Sequence, residues 1–409
     1  MARSKLYLQP LESRDVPNGT QLFAIAEDGG PSRVAIYQPA GEQVIPNDAI
    51  VNGVAAGPDY LQQHGTLLAT FSPFPGFGGG THVAVGDVTG DGIDDVVCGA
   101  GSGGGPHVKI YDGRSLLDGR VVQIRDFFAF DNSFKGGVFV AVGQMDQSTP
   151  QKEIIVGAGE SGGPHVRVFA MHQVDFIVAP PDPNDYYPLQ LTNEFFAYAA
   201  DFHGGVRVAA ADVNGDGKDD IVTAAGPGGG PHVRVWDVNP PNPLALYLYD
   251  HAVIDEFYAY DSGFHGGVYV AAGNVKGDSK YAEVITGAGE GGGPHVKVFS
   301  REGTDRLRVD SEIYAGRDGQ NQSLGARVSL ADLGSDSNQP SRPFTIYITH
   351  GPQAEEHWDG VGHRPAHPTL SLPPQLIAYN FHFGPVRQVA IDLQPEPFDG
   401  GSAQGWFAD

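Results

Sequence analysis

Two nine-residue segments of this chain place oxygen-bearing side chains at alternate positions, a pattern typical of a loop that wraps around a cation. They read DVTGDGIDD from Asp87 and DVNGDGKDD from Asp212. Side chains at positions 1, 3, 5 and 9 and the backbone carbonyl at position 7 can surround one ion, and glycine at position 6 permits the sharp turn. The predicted ligands are Asp87, Thr89, Asp91, Ile93 and Asp95 in the first loop and Asp212, Asn214, Asp216, Lys218 and Asp220 in the second.

The donor atoms of both loops favour calcium. All of them are hard oxygen atoms, whereas zinc and copper sites are usually built from cysteine or histidine. The alternative is an ion-free hairpin rich in Asp, Asn and Gly, but several carboxylates in one tight turn repel each other without a cation. We therefore expect about two calcium ions. The loop from Asp212 is the better site because Asn214 is a better ligand than Thr89.

Both loops lie inside a longer recurring unit. The phrase Gly-Ala-Gly-x-Gly-Gly-Gly-Pro-His-Val occurs four times with small variations, about 60 residues apart, and each copy follows a Phe-x-Gly-Gly segment. Such a period indicates an array of like structural units. The phrases begin at Gly99, Gly157, Ala224 and Gly287, and the preceding segments begin at Phe77, Phe134, Phe202 and Phe264.

Each unit has the pattern of four short strands. Runs such as VAVGDV, DIVTAA and HVRVW are short and β-branched, and the glycine-containing turns between them favour antiparallel pairing. One four-stranded sheet cannot bury both of its faces, whereas sheets stacked radially can, which predicts an all-β fold, a six-bladed β-propeller. Two of the six units, near both chain ends, are degenerate. The alternative to a closed propeller is an open array of sheets with capped ends.

The two ends of the sequence hold complementary halves of one unit. We therefore expect a C-terminal strand to join N-terminal strands and close the ring. The expected blades are about residues 79–131, 136–200, 204–262, 266–316, 324–380, and 384–394 joined to 20–74. Residues 1–19 and 395–409 are expected to be tails.

The order of Phe-x-Gly-Gly, an inner strand, the Asp-rich loop and a glycine-rich turn resembles FG-GAP (VCBS-type) repeats. Repeats of this kind form the propeller of integrin α subunits and of many bacterial surface proteins. The resemblance implies calcium in the two matching loops. It also implies a non-enzymatic binding or structural module of a bacterial surface or secreted system. The short stretch from Leu11 to Pro17 resembles a segment near the start of many secreted bacterial proteins.

Composition excludes several classes of partner. Acidic residues number 49 against 25 Lys and Arg, for a net charge of −24, so nucleic acid is not an expected partner. No apolar run is long enough for a transmembrane helix. The single cysteine, Cys98, excludes a disulfide scaffold. We expect a monomeric propeller with an unknown protein or glycan partner, located outside the cell or on its surface, although the chain has no ordinary signal peptide.

Six histidines are expected to lie toward the face opposite the calcium loops, where they could bind a transition metal or an anionic ligand. A simpler interpretation, which we favour, is that a residue copied into every unit serves that unit, for instance by bonding its glycine-rich turn. The histidines are His107, His165, His203, His232, His265 and His295.

Two other functions stay open at this point. One is a carbohydrate-binding, lectin-like propeller that uses aromatic residues between blades. The other is a hydrolase or lyase with a site at the ring centre or in the insertion from His350 to His367, which contains Glu356 and His357. No catalytic set can be assembled from spacing, so an enzyme is the weaker expectation. The glycine-rich phrase lacks the Lys-Ser/Thr of a phosphate-binding loop, and no helix follows it.

Overall fold

The chain folds almost entirely as antiparallel β-strands. The computed structural model describes residues 5–8, 22–28, 31–39, 65–171, 189–238, 251–276, 280–303, 305–314, 325–331, 345–349, 376–380 and 387–389. In these ranges the one helix is α1 (Gly113–Leu117), whose first turn is capped by the Asp112 carboxylate accepting from Ser115 N at 2.8 Å. This all-β character agrees with the short β-branched runs of the sequence.

Four consecutive antiparallel sheets of four strands form the blades that are described throughout. Blade 1 contains β5 (Thr81–Gly86), β6 (Asp95–Ala100), β7 (His107–Tyr111) and β8 (Gln123–Phe128). Blade 2 contains β9 (Val138–Gly143), β10 (Glu153–Ala158), β11 (His165–Met171) and β12 (Leu189–Phe196). Blade 3 contains β13 (Val206–Ala211), β14 (Asp220–Ala225), β15 (His232–Val238) and β16 (His251–Tyr258). Blade 4 contains β17 (Val268–Gly273), β18 (Glu283–Ala288), β19 (His295–Ser300) and β20 (Arg308–Tyr314).

Two further sheets contain the strands near the chain ends. The N-terminal sheet consists of β1 (Lys5–Leu8), β2 (Phe23–Asp28), β3 (Val34–Pro39) and β4 (Gly65–Phe71). The C-terminal sheet consists of β21 (Arg327–Ala331), β22 (Thr345–Thr349), β23 (Leu376–Asn380) and β24 (Arg387–Val389).

The predicted exchange of a strand between the two ends is wrong. Strand β24 pairs with β23 of its own sheet, and β1 pairs with β2. The segment FGPV before β24 resembles the start of an inner strand, but β24 is the outer strand of the C-terminal sheet. The first strand of the N-terminal sheet is KLYL, which lies within the segment expected to be a tail. The sequence pattern misses it because four residues are too few to be recognised as a strand.

The fold is an all-β propeller of four-stranded antiparallel sheets. The first strands of neighbouring blades contact each other, β5 with β9, β9 with β13, and β13 with β17, so these are the inner strands. All six residues of β5, β6, β10, β13 and β14 are buried, because each blade is covered on both faces. The described packing covers four blades and a partial fifth, and not the predicted six.

Close backbone contact explains why Phe-x-Gly-Gly and Gly-Ala-Gly occur together. A Cβ atom at Gly226, the second glycine position of the blade 3 phrase, would lie 1.8 Å from the carbonyl oxygen of Gly204. The Phe202 ring covers the following turn, where a Cβ at Gly229 would lie 2.6 Å from its Cζ atom. The corresponding positions of blades 1, 2 and 4 are equally close. The two motifs are therefore the two halves of one tightly packed corner.

Candidate functional site

The two Asp-rich loops join the first and second strands of their blades. One connects β5 to β6 and the other connects β13 to β14, so both lie at the same end of the propeller. Each is anchored by a fully buried valine at its second position, Val88 or Val213. The glycine at position 6 has a positive φ in both loops, 82° at Gly92 and 99° at Gly217, as the predicted sharp turn requires.

The first carboxylate of each loop organises the backbone around itself. Asp212 Oδ1 accepts from the N–H groups of Gly215 and Asp216 at 2.6 and 3.1 Å, and Oδ2 accepts from Gly217 at 2.9 Å. Asp87 makes the three equivalent bonds in its own loop at 2.6, 3.1 and 2.8 Å. The two loops therefore share one conformation, with an aspartate at the centre of a ring of N–H donors.

The fifth and seventh positions are also connected in the same way in both loops. Asp91 Oδ1 accepts from Ile93 N at 2.9 Å, and Asp216 Oδ1 accepts from Lys218 N at 2.8 Å. Asp91 has an additional partner, because Arg114 of α1 lies 2.9 Å from its Oδ2 atom. This ion pair competes with a cation for Asp91, which makes the first loop the poorer candidate site. No pattern in the sequence indicates this ion pair.

The ninth carboxylate is buried in both loops. Asp220 Oδ2 accepts from the N–H groups of Val213 and Asn214 at 2.9 and 3.0 Å. Burial raises the pKa of Asp220 to about 8, and the nearby charges of Asp216, Asp237 and Asp212 also raise it. Asp95 makes the same contacts with its own loop, and burial raises its pKa well above the ordinary value. A bound cation would favour the ionised form of both groups.

The chemistry of the donor set fits a hard cation. In the second loop Asp212, Asn214, Asp216, the Lys218 carbonyl and Asp220 would hold it, and all of these donors are oxygen atoms. Within the described ranges, however, no three His, Cys, Asp or Glu side chains are close enough together to form a metal-binding group. In this structure the carboxylates accept backbone N–H groups of the loops instead.

The corresponding loop of blade 2 replaces the cation pattern with an amide. Gln144 stands where the first aspartate would be, and its Nε2 group donates to the carbonyls of Asp146, Thr149 and Gln151 at 2.5, 3.1 and 3.2 Å. The side-chain nitrogen thus holds three loop carbonyls together. That this loop binds no calcium stays a prediction.

In blade 4 a lysine takes the third position of the loop. Lys276 Nζ donates to Asp310 Oδ1 at 2.6 Å and to Ser300 Oγ at 3.1 Å. An ammonium group at this place disfavours a cation, and it stays a prediction that this loop binds no calcium. The neighbouring Asp278, and Asp332 and Asp336 of the following unit, lie outside the described residues, as does the insertion from His350 to His367.

A buried glutamate at the start of the second strand makes blade 2 sensitive to pH. Glu153 Oε2 accepts from Met145 N at 2.9 Å, and burial raises its pKa from 4.5 to about 7. Its contribution to stability is therefore complete below pH 4.5 and is lost as the pH rises through about 7. We expect Glu153→Gln to be more stable than the unchanged protein at high pH, by up to about 3 kcal/mol, with no gain at low pH.

Urea denaturation between low and high pH measures this difference. The exposed Glu160, on the turn of the same blade, provides the control substitution Glu160→Gln. The stability difference between Glu153→Gln and the unchanged protein could also be the same at every pH. That result would show that the buried carboxyl does not titrate in this range.

Four of the predicted histidines lie in four different blades, each beside a carboxylate of the outer strand. His165 and His232 lie 3.4 Å from Glu194 and Glu256, His295 lies 3.0 Å from Glu312, and His107 contacts Asp126. Burial lowers the pKa of His165, His232 and His295. Each histidine thus has its own partner, and no shared cluster forms among the described residues.

Each of these histidines also packs between two aromatic rings. His165, for example, lies 5.1 Å from Phe130 of the preceding blade and 4.9 Å from Phe196 of its own outer strand. His203 and His265 are exposed, and their carbonyls accept from Ser161 N and Gly228 N of the neighbouring glycine-rich turns at 2.8 Å. The six histidines therefore contact groups of their own and of adjacent units, and their role within the repeat stays a prediction.

Radially stacked four-stranded antiparallel sheets, with Asp-rich loops between their first and second strands, define a repeat β-propeller. The family model of the FG-GAP repeat matches residues 79–114 and 204–236, and each match contains one of the two loops. The chain therefore carries FG-GAP repeats, in agreement with the resemblance of its motifs. No curated protein sequence matches the chain. Within the described part of the chain, no helix has the length and apolar character needed to span a bilayer.

Solved structures that resemble the chain do so distantly. Polycomb Repressive Complex 2 of Chaetomium thermophilum contains a chain with 10% sequence identity and a TM-score of 0.43, and the match covers 86% of this chain and 67% of that one. In another structure of this complex the identity is 12%, the TM-score is 0.39, and the match covers 92% of this chain and 64% of that one. A rhamnogalacturonan lyase of Bacillus licheniformis has 11% identity and a TM-score of 0.33, covering 85% of this chain and 74% of that one.

Proposed function

We propose that this protein is a calcium-binding β-propeller that acts as a binding or structural module without catalytic activity. The observation that carries the proposal is the common geometry of the two loops within the FG-GAP matches. In each loop one aspartate accepts three backbone N–H groups, and a second, buried aspartate pins the start of the loop. The backbone N–H groups of each loop are thereby arranged around acidic oxygen atoms.

Calcium in these loops would stabilise contacts between blades as well as within them. The Asp212 carbonyl accepts from Ala282 N of blade 4 at 2.8 Å, and the Asp87 carbonyl accepts from Lys152 N of blade 2 at the same distance. An ion that fixes the loop also fixes these carbonyls. A site filled at one hundred times its dissociation constant would add about 2.7 kcal/mol to the free energy of unfolding.

We further propose that the two terminal sheets close the propeller into a ring. Strand β1 contacts both β21 and β5, which are the inner strands on either side of it in such a ring. The Tyr269 and Ile285 side chains of blade 4 also share a hydrophobic cluster with Ala326 and Val328 of the C-terminal sheet. In this ring each end of the chain would form a whole blade.

An extracellular or cell-surface location is the setting that we propose for the module. FG-GAP repeats are typical of extracellular proteins, where free calcium is abundant. A net charge of −24 is compatible with solubility at high calcium and disfavours binding to nucleic acid.

Glycan binding is a second candidate function, favoured by a row of exposed aromatic rings at the outer strands. They are Phe128, Phe196, Tyr258 and Tyr314, with 54, 54, 60 and 62% of their surface exposed. Each lies over a histidine and close to a carboxylate, and such amphipathic aromatic surfaces are frequent in binding sites. A glycan array would support this function by hits that are lost in Tyr258→Ala, and an array without hits would exclude it for the sugars tested.

Chelation tests the calcium proposal. We expect millimolar EDTA to lower the melting temperature of the protein and added calcium to restore it, because an ion that binds only the folded state stabilises it. The exposed Asp216→Ala should remove most of the effect assigned to the second loop. Asp146→Ala is the matched control, because Asp146 lies in the blade 2 loop, where Gln144 replaces the first aspartate and donates to the loop carbonyls. If EDTA left the melting temperature unchanged, the proposal that calcium stabilises the fold would be contradicted.

A further inference from the structure

The N-terminal sheet departs from blades 1 to 4 at the corner where its third strand begins. In each of those blades the first pair of the third and fourth strands joins a histidine to an exposed aromatic residue. In the N-terminal sheet Val34 pairs with Phe71, and this register puts Arg33 and Ser72 in the two equivalent places. An arginine thus replaces the histidine, and a serine replaces the aromatic ring.

The ion pair that accompanies each histidine has no equivalent at this corner. In blades 1 to 4 the third strand carries Lys or Arg two residues after the histidine, opposite an Asp or Glu of the fourth strand. The equivalent pair of the N-terminal sheet is Ala35 with Thr70. At these four positions the sheet therefore has one charged residue, Arg33, whereas each blade has a cation, a histidine and a carboxylate.

A cavity of about 360 Å³ lies at this corner, and we call it the corner cavity. Part of its wall is the connection from the N-terminal sheet to blade 1, where a Cβ atom at Gly76 or Gly78 would meet nothing within 4 Å. In the Phe-x-Gly-Gly segments of blades 2 to 4, the residue at the place of Gly78 is a lysine or a histidine. Small residues thus stand at this corner where the other blades have large ones. The lining of the cavity includes Pro31, Arg33, Ser72, Gly76, Phe77 and Gly78.

Two polar side chains of the lining are within reach of a ligand. Arg33 and Ser72 are both exposed, so the cavity is open to solvent beside them. Ser32 also lines the cavity, but it is buried and its hydroxyl is already bonded to Thr81 Oγ1 at 2.7 Å. Most of the other lining is apolar, with the half-buried Phe77 ring as its largest part. Among the described lining residues, Arg33 alone carries a charge.

We propose that the corner cavity binds a small molecule that carries a carboxylate on an apolar ring. The Arg33 guanidinium and the Ser72 hydroxyl would donate to the carboxylate, and Phe77 and Pro31 would contact the ring. Arginine suits this role because its planar fork of N–H groups matches the two oxygens of a carboxylate. The volume is within the range of roughly 300 to 1,000 Å³ that is typical of small-molecule sites, and such sites combine an apolar lining with few polar groups.

The corner cavity is separate from the proposed calcium loops. Arg33 precedes the third strand of its sheet, at the end of the propeller that carries the glycine-rich turns. The Asp-rich loops connect first to second strands and lie at the other end. Ligand binding in the cavity therefore does not depend on calcium.

Isothermal titration of the full chain with benzoate tests this site. Benzamide, which lacks the charge, and acetate, which lacks the ring, separate the two parts of the ligand. We expect saturable binding of benzoate, and an affinity for each of the other two probes that is lower by at least about fivefold. Arg33→Gln should weaken benzoate binding by a similar factor. Arg120→Gln is the matched control, because Arg120 is an exposed arginine that pairs with Asp118 at 3.1 Å, and it should bind benzoate like the unchanged protein.

Ser72→Phe tests the cavity independently of charge. This substitution introduces the aromatic residue that blades 1 to 4 have at the equivalent place. Because Ser72 is exposed, the variant should fold, and its ring should occupy part of the cavity. We expect the affinity for benzoate to fall by at least about fivefold here as well.

Three results would overturn the proposal. The first is the absence of saturable benzoate binding to the unchanged protein. The second is an equal affinity for benzoate and benzamide, or an equal loss of benzoate affinity in Arg33→Gln and Arg120→Gln. The third is an unchanged benzoate affinity in Arg33→Gln or Ser72→Phe. Asp216→Ala should bind benzoate like the unchanged protein, so failure of the corner cavity and failure of the calcium loops can be told apart.

Discussion

Gly226→Ala is expected to prevent stable folding of the propeller. A Cβ atom at this position would lie 1.8 Å from the Gly204 carbonyl oxygen, 2.7 Å from its carbon and 3.1 Å from the Gly205 oxygen. All three atoms belong to the backbone at the entrance to blade 3, so no side-chain rotation can relieve the overlap. We expect a loss of more than about 4 kcal/mol, which is exceptional for one methyl group. Urea denaturation followed by circular dichroism measures it.

Gly78→Ala is the matched control for this substitution. Gly78 is exposed, and a Cβ atom there would meet nothing within 4 Å. Its stability should therefore stay within about 0.5 kcal/mol of the unchanged protein. If Gly226→Ala were as stable as Gly78→Ala, the two glycine motifs could not be packed against each other as described, and the explanation of the repeat would fail.

Asp212→Ala is expected to cost about 3 kcal/mol even without calcium. The Asp212 carboxylate is 2% exposed and accepts from three backbone N–H groups. Its removal would leave those of Gly215 and Gly217 without this acceptor, whereas Asp216 N would keep Asn214 Oδ1 at 2.8 Å. In calcium the loss should be larger, because the ion would then lose its first ligand. Thermal and urea denaturation in EDTA and in calcium separate the two contributions.

Asp216→Ala distinguishes the role of the ion from that of the loop backbone. Asp216 is exposed, and among the described residues its carboxylate accepts from Lys218 N alone, at 2.8 Å. Asp216→Ala should change the stability of the protein little in EDTA and should lower it clearly in calcium. Asp212→Ala should lower the stability in both buffers. Equal behaviour of the two variants in both buffers would contradict the assignment of Asp212 as the centre of the loop.

Much of the fold could be predicted because it repeats in the sequence. The Phe-x-Gly-Gly and Gly-Ala-Gly phrases mark the same corner in four blades, and the strands between them were recognised by their β-branched residues. The terminal sheets were misjudged for a physical reason. Lys5–Leu8 forms a strand through pairing with Phe23–Asp28 and not through any local pattern of its own, so its four residues carried no signal.

The candidate site could also be predicted in part. The carboxylates at positions 1 and 9 of the Asp-rich loops accept N–H groups of their own loop, and the spacing of residues in the sequence reveals such local contacts. The ion pair of Arg114 with Asp91 and the closure of the blade 2 loop by Gln144 were not predicted. The ion pair joins side chains from a loop and a helix, and a pattern within one segment cannot report such a contact.

Equilibrium dialysis counts the calcium ions that the two Asp-rich loops bind. We expect two ions per folded chain, one fewer in Asp216→Ala, and an unchanged number in Asp146→Ala. No bound calcium at millimolar free ion, or the same number in Asp216→Ala as in the unchanged protein, would contradict this expectation.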